Sequence, residues 1–345
     1  MKTINKIFIG AFTFVFVSVI TIFAINATDV PQTELTRQML QKFPAQEGFS
    51  MLEFKTVPEE KRPQLDFEKY SDYTKDPAKY DELIKTYYHF IEKSERAFQI
   101  GRVAVNPDAT IFDGFATYSV NSHKLFLVFL SQKIAQGKMN EAMDLLEKSN
   151  HFFASIVQTP QVYIQKMISL RHLRQNAEFA LKLKEAGVLK KAPATLKESF
   201  KLTQTPQKIW EDAGKMEFLM ASSVVLAPDA AGFFEMTNID GSGENQLRNA
   251  AKKTVRWFMS KLYRPNQTLN DLSEGYSIFK SPECAGQTPK KCGEALDRIA
   301  PLEGKNLIIN PWGKSLVRTF LPRFAGTYTK VEISSQDLLK ASEAL

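Results

Sequence analysis

Imidazole titrates near neutral pH and ligates transition metals, so the four histidines His89, His123, His151 and His172 are the first residues to weigh for chemistry. No two stand at an i,i+3 or i,i+4 spacing, so the sequence holds no HExxH-like ligand pair. Neighbours such as Tyr88 and Phe90, or Asn150 and Phe152, suit an interface between packed helices better than a ligand shell. The carboxylates give a similar answer. Glu211, Asp212, Glu217 and Glu235 flank an apolar stripe, and two carboxylates in one cleft could cleave a glycan. Glu211 and Glu217, however, fall on nearly opposite faces of a helix, which reads as solvated surface. In TNIDGSGENQLRN, Asn238, Asp240 and Ser242 alternate ahead of Gly243, but Asn249 occupies the place where a calcium loop needs a bidentate Glu. A glycine turn capping the next helix accounts for the same residues, and its exposed N–H groups could hold an anion. Neither G-x-S-x-G nor S-x-x-K with its partner motifs occurs. These residues require no metal and no cofactor.

Cys284 and Cys292 are the only cysteines, in SPECAGQTPKKCG. In an oxidising compartment their spacing predicts a local disulfide, which in the chain-entropy model restricts the unfolded chain by about 2–3 kcal/mol. A redox pair or half of a metal site fits less well, since the spacing is not C-x-x-C and no His lies nearby. Basic residues gather twice: Lys182, Lys184, Lys190, Lys191, Lys197 and Lys201 around residues 187–195, and Arg248, Lys252 and Arg256 as an i,i+4 ridge. Such runs are usually solvated faces; the functional alternative is contact with anionic headgroups or an acidic partner.

The elements that must position these residues begin with the N-terminus. Ile7 to Ile25 is a run of 19 uncharged residues, which as a helix would cover about 28 Å, close to a bilayer's hydrocarbon core. Lys2 and Lys6 precede it and Asp29 and Glu34 follow, so the positive-inside bias predicts a cytoplasmic N-terminus and an extracytoplasmic remainder. A cleaved secretory signal is the competing expectation; its best site, after Ala27, has Ile25 where a small residue is wanted. The predicted organisation is therefore a cytoplasmic tip and signal anchor over 1–28, an extended periplasmic spacer over 29–76, and a helical periplasmic domain over 77–345. Pro31, Pro44, Pro58 and Pro63 give the spacer its texture, with Phe54, Leu65 and Phe67 able to clip it to the domain. The chain has 43% hydrophobic and 24% charged residues, which excludes wholesale disorder, and its formal charge of +7 is too mild to imply nucleic-acid binding.

Beyond Asp76-Pro77 the apolar period is that of a helix: Tyr80, Leu83, Ile84, Tyr87, Tyr88, Ile91 and Phe98 recur in steps of three and four. From about Ser122 to Ser155 two apolar helices flank the break Gln136-Gly137-Lys138, the second carrying Ala142, Leu145, Leu146, Ser149, Phe152, Phe153 and Ile156 on one stripe. This hairpin resembles one tetratricopeptide-type unit, although the next helix, Gln161 to Ala186, is longer than a ~34-residue repeat allows. Further stripes run through Ile209, Ala213, Met216, Met220 and Val224, and from Leu247 to Leu262. GTYTKVEI alternates like a short strand, and Ser334 or Ser335 reads as the N-cap of a closing helix. The predicted fold is all-α: an irregular stack of antiparallel helical hairpins preceded by one N-terminal transmembrane helix.

The blocks GKMNEAMDLL, QVYIQKMISL, YRPNQTLN and NPWGKSL, in that order over about residues 120–330, are similar to those of an uncharacterised family of proteobacterial, membrane-anchored, all-helical proteins. The resemblance implies location and architecture, and no catalytic residue.

Grooves between stacked hairpins suit protein docking. The functional expectation is thus a single-pass inner-membrane protein whose periplasmic domain binds another envelope protein, as an assembly factor or an immunity-type inhibitor. Phe112 and Phe115, in ATIFDGFATY, are the candidate groove aromatics, with Arg248, Lys252 and Arg256 as a charged complement. An envelope hydrolase acting on peptidoglycan or lipid, using Glu235 or Asp240 with His172 or His151, is the alternative.

Overall fold

The computed structural model describes residues 28–55, 77–106, 120–226, 263–277, 316–317 and 325–345, together with Thr21. Regular structure among them is helical: α1 (Glu34–Met39), α2 (Leu52–Lys55), α3 (Pro77–Thr86), α4 (Tyr88–Ile100), α5 (Val120–Ala135), α6 (Met139–Gln158), α7 (Tyr163–Glu185), α8 (Ala194–Ser199), α9 (Pro206–Val225), α10 (Pro265–Ser277) and α11 (Ala325–Ala344). The all-α expectation holds for these residues. Extended pairing is limited there to two isolated bridges, Gln46 with Val105 and Phe49 with Val103. No helix among the described residues is long and apolar enough to cross a membrane; the run from Ile7 to Ile25, Thr21 apart, lies outside them.

The chain forms two compact units, residues 42–217 with 326–345, and residues 1–41 with 218–325. The larger is organised on α6, which packs against α4, α5, α7 and α8. A helix touched on so many sides needs apolar residues around most of its circumference. Accordingly the predicted stripe is buried, and Met143, Ala154 and Val157 are buried beside it. Gly137, at φ 81° in the turn between α5 and α6, takes the left-handed conformation that ends α5 and reverses the chain. The α5–α6 hairpin and the 23-residue α7 do not repeat one length, in keeping with an irregular stack.

Two expectations change with the packing. The stripe from Tyr80 to Phe98 is broken at Tyr87 into α3 and α4, which leaves Tyr88 half exposed while Tyr80, Ile84, Phe90, Ile91 and Phe98 are buried. GTYTKVEI belongs to α11 and not to a strand, so Ser334 and Ser335 are mid-helix and cap nothing; Ser335 Oγ donates back to Val331 O. The stripe Val331, Ser334, Leu338, Ala341 and Leu345, buried within the larger unit, shows why the helical period wins there.

Residues 42–55, read in sequence as part of a spacer, form an extended strap and one helical turn on the hairpins. Gln46 and Val105 exchange backbone hydrogen bonds of 3.1 and 3.0 Å, Phe49 N donates to Arg102 O, and Ala104 N donates to Phe49 O. Gly48 is required by this approach, since a Cβ there would lie 2.5 Å from Val103 C.

In the smaller unit, Asp29 accepts from the backbone N–H groups of Asn266 and Gln267 at 2.7 and 3.2 Å, placing a carboxylate on the positive end of α10. Asn270 Oδ1 accepts from Thr33 N and Thr36 Oγ1, and its Nδ2 donates to Pro31 O, so α1 and its lead-in are fastened to α10 side chain by side chain. Thr36 and Ser273 share a buried hydrogen bond of 2.9 Å. Phe218 meets Tyr276 edge to face at 6.4 Å, and Tyr263 Oη donates to Val225 O.

Candidate functional site

Two histidines that are far apart in sequence meet in the larger unit. α5 brings His123 and α7 brings His172 to a ring-centroid separation of 4.4 Å, with both side chains fully buried. His123 Nε2 donates to Asn176 Oδ1 at 2.8 Å. The Asn176 amide then donates to Ser149 Oγ and Asn150 Oδ1 at 2.8 and 2.7 Å, and Asn150 Nδ2 donates to Ser199 Oγ at 2.8 Å. Ser149 and Ser199 complete the chain by donating to the carbonyls of Leu146 and Leu196. Residues of α5, α6, α7 and α8 thereby form one hydrogen-bonded set inside an apolar core. Such a set fixes helix register, because a slip of one residue would strand several buried polar groups at once.

The electrostatics match that role. Burial holds the His123 imidazole well below its usual pKa, and the neighbouring His172 adds to the effect. His172 Nδ1 lies 3.3 Å from Gln175 Oε1. A cavity of about 10 Å³ adjoins His172, lined also by Met51, Phe153, Ile156, Gln165, Ile168 and Ser169. That is room for at most one water, and far below the few hundred Å³ of a small-molecule pocket.

An aromatic network continues from this polar set to the strap. Phe153 contacts both imidazoles, at 5.2 Å from His123 and 4.8 Å from His172. Phe98 lies 4.9, 5.6 and 5.5 Å from Phe126, Phe152 and Phe153. Phe152 then meets Phe49 of the strap at 6.0 Å, Phe49 meets Phe54 at 5.1 Å, and Phe54 stacks on Phe90 at 5.9 Å. The high phenylalanine content is thus spent, in this unit, on packing hairpins together and on seating an extended segment. Polar groups finish the seat: Lys93 Nζ donates to Glu53 O, Ser155 Oγ accepts from Val103 N, and Gln161 Nε2 donates to Ala104 O.

Two ionisable groups serve helix ends. Lys166 is buried and donates to Val157 O and Thr159 O, both at 2.6 Å, satisfying carbonyls left over where α6 stops. Burial pulls its pKa down to about 7, against the pull of nearby Asp212, whose carboxylate pairs with Lys208 at 2.7 Å. Glu217 accepts from Tyr163 N, the first residue of α7, and burial pushes its carboxyl up to about 7 despite that bond. The solvated-face expectation therefore gives way at Glu217, a helix-capping group, and at Asp212, which is 6% exposed. Glu211 stays at the surface end, accepting from Gln207.

The other predicted residues are placed as follows. His89 and His151 are exposed, His151 with Glu147 at 3.8 Å, so neither joins the buried pair. The candidate binding residues Phe112, Phe115, Arg248, Lys252 and Arg256, the pair Cys284 and Cys292, and the alternative acids Glu235 and Asp240 lie outside the described residues. Sequence reasoning did not single out Asn176, Asn150, Ser149, Ser199 or Lys166 as an interacting set. The available signal was polar residues standing at positions where the apolar period of α6 and α7 continues.

The described fold and its polar core define an all-helical protein with a register-fixing hydrogen-bond network and a self-docked extended strap. No family model, curated protein or solved structure matches this chain.

Proposed function

We propose that this chain is a protein-binding module, held at the bacterial inner membrane by its N-terminal apolar segment with the helical units on the periplasmic side. In this role it acts as an envelope assembly factor or an immunity-type inhibitor. The observation that supports the reading is the strap: the hairpins take an extended segment, Gln46 to Phe54, by backbone pairing plus two phenylalanine anchors. This is the chemistry by which helical stacks and strand edges recognise extended peptides of other proteins. Tyr88 and Ile100, 50% and 41% exposed on α4, put apolar surface on the helix that carries Phe90 and Lys93 against this strap. The local disulfide Cys284–Cys292 belongs to the same proposal, since translocation delivers both thiols to an oxidising compartment.

The test is site-specific photo-crosslinking in intact cells. A photoreactive residue at Tyr88 or Ile100, with Lys138 as the exposed control position, is followed by pull-down through an N-terminal tag, which leaves the buried Leu345 untouched. The reading expects one discrete adduct from the α4 positions and none from the control. Absence of any adduct at both α4 positions contradicts it.

A further inference from the structure

The loop between α7 and α8 carries a feature that peptide docking does not use. From Lys182 to Lys201 the chain has six lysines against Glu185 and Glu198. At its tip α7 stops on Gly187, at φ 70°, with Gly187 N donating to Lys184 O and Val188 N to Leu183 O. This left-handed termination fixes the direction in which the next residue leaves the helix. The next residue is Val188, 45% exposed, while Leu189 turns into the core at 5%. Space around the tip is open, since a Cβ on Gly187 would meet no atom within 4 Å. Lys182, Lys184, Lys190 and Lys191, all exposed, lie within six residues of Val188 along the chain. α11 ends beside Lys184, whose Nζ donates to Ala344 O at 2.6 Å and to Leu345 O at 3.3 Å, and Ser342 Oγ donates to Lys197 O at 2.9 Å. Exposed Lys340, one helical turn before Ala344, adds a further cation on the same face.

We propose that this tip, Val188 with the exposed lysines that precede and follow it in the chain, is a contact for an anionic phospholipid surface. Charge complementarity favours this occupant: six lysines against two carboxylates over Lys182 to Lys201 match the diffuse negative charge of phospholipid headgroups. A bilayer interface accepts both groups, the valine at the acyl boundary and the lysine ammoniums at the phosphates above it, with the lysine stems spanning the difference.

The full-length protein is reconstituted in vesicles of phosphatidylcholine alone or with about 30% phosphatidylglycerol, a content chosen to give a physiological surface potential. Lysines are then acylated and the modification at each is read by mass spectrometry. Reading the tip lysines, and not vesicle capture, keeps insertion of the N-terminal segment out of the result. Modification of Lys190 and Lys191 is expected to fall about fivefold in the anionic vesicles and to recover at high salt, while exposed Lys85 and Lys138 react equally in both. Val188→Glu is expected to abolish the protection. Equal modification of Lys190 and Lys191 in both vesicle types overturns the proposal. So does protection that arises only when an acidic polypeptide such as polyglutamate is added, because that outcome assigns the tip to an acidic protein.

Discussion

Burial sets the protonation of single residues here, and the signs can be worked out. Glu217 titrates near pH 7 in the folded chain and near 4.5 in the unfolded one. Its raised value means that a stabilising contribution is complete below pH 4.5 and is lost as pH rises through about 7. Glu217→Gln keeps the acceptor for Tyr163 N and removes the titration. It is expected to match wild type in acid and to exceed it above pH 7 by on the order of 2 kcal/mol, read as thermal midpoints across pH; equal midpoints at all pH values would remove the buried carboxyl from the account. His123 acts in the opposite direction, because its folded pKa is depressed below the ordinary 6.5. The contribution of neutral His123 is full above 6.5 and is lost as pH falls below it. In the Glu217→Gln background, where the compensating carboxyl is gone, the midpoint should fall between about pH 7.5 and about pH 5.5. At Gly48 the argument is steric: Gly48→Ala sets a methyl against the Val103 backbone and is expected to cost about 2–3 kcal/mol in denaturant unfolding. A neutral Gly48→Ala would mean that the strap is not seated as described.

Individual helices are held by what their ends and buried polar positions find on neighbours. α6 ends on Thr159, and the ammonium of Lys166 from α7 takes the Val157 and Thr159 carbonyls. Because the folded pKa of Lys166 is depressed from 10.5 to about 7, wild-type stability should rise from pH 7 toward 9 through this residue. Lys166→Met should lose that slope and leave two carbonyls unsatisfied, for a net cost of about 1–3 kcal/mol at high pH. Asn176 does the corresponding work between α5, α6 and α7. Asn176→Ala strips partners from His123, Ser149 and Asn150 together, and a loss of about 2–4 kcal/mol in chemical denaturation is expected. A change under about 0.5 kcal/mol would show that the set does not fix register.

For the molecule as a whole, the apolar run Ile7–Ile25 is the element on which the proposed location turns. If Ile7–Ile25 spans the membrane and stays attached, mature protein begins at or near Met1 and resists carbonate extraction. Extractable protein beginning near Thr28 would instead identify a cleaved signal.

Helical class and most apolar stripes were legible in the sequence, because a 3.6-residue period is a local property that burial then uses. Ala142 to Ile156 and Ile209 to Val224 are buried at the expected positions. Pro77 opening α3 and the Gln136–Lys138 break were legible for the same reason, since proline and glycine act on their own backbone. The docked strap was legible only at Phe54, read as able to clip the segment to the domain and buried there. Few apolar residues and several prolines describe a linker equally well, and only the facing Phe152 and the paired backbone of residues 102–105 decide that Phe49 is buried. The meeting of His123 with His172, and the use of Asp29, Lys166 and Glu217 as helix-end partners, were decided by tertiary structure for one reason. A polar side chain's role depends on which distant backbone or side-chain group faces it, and sequence spacing within its own helix carries no record of that.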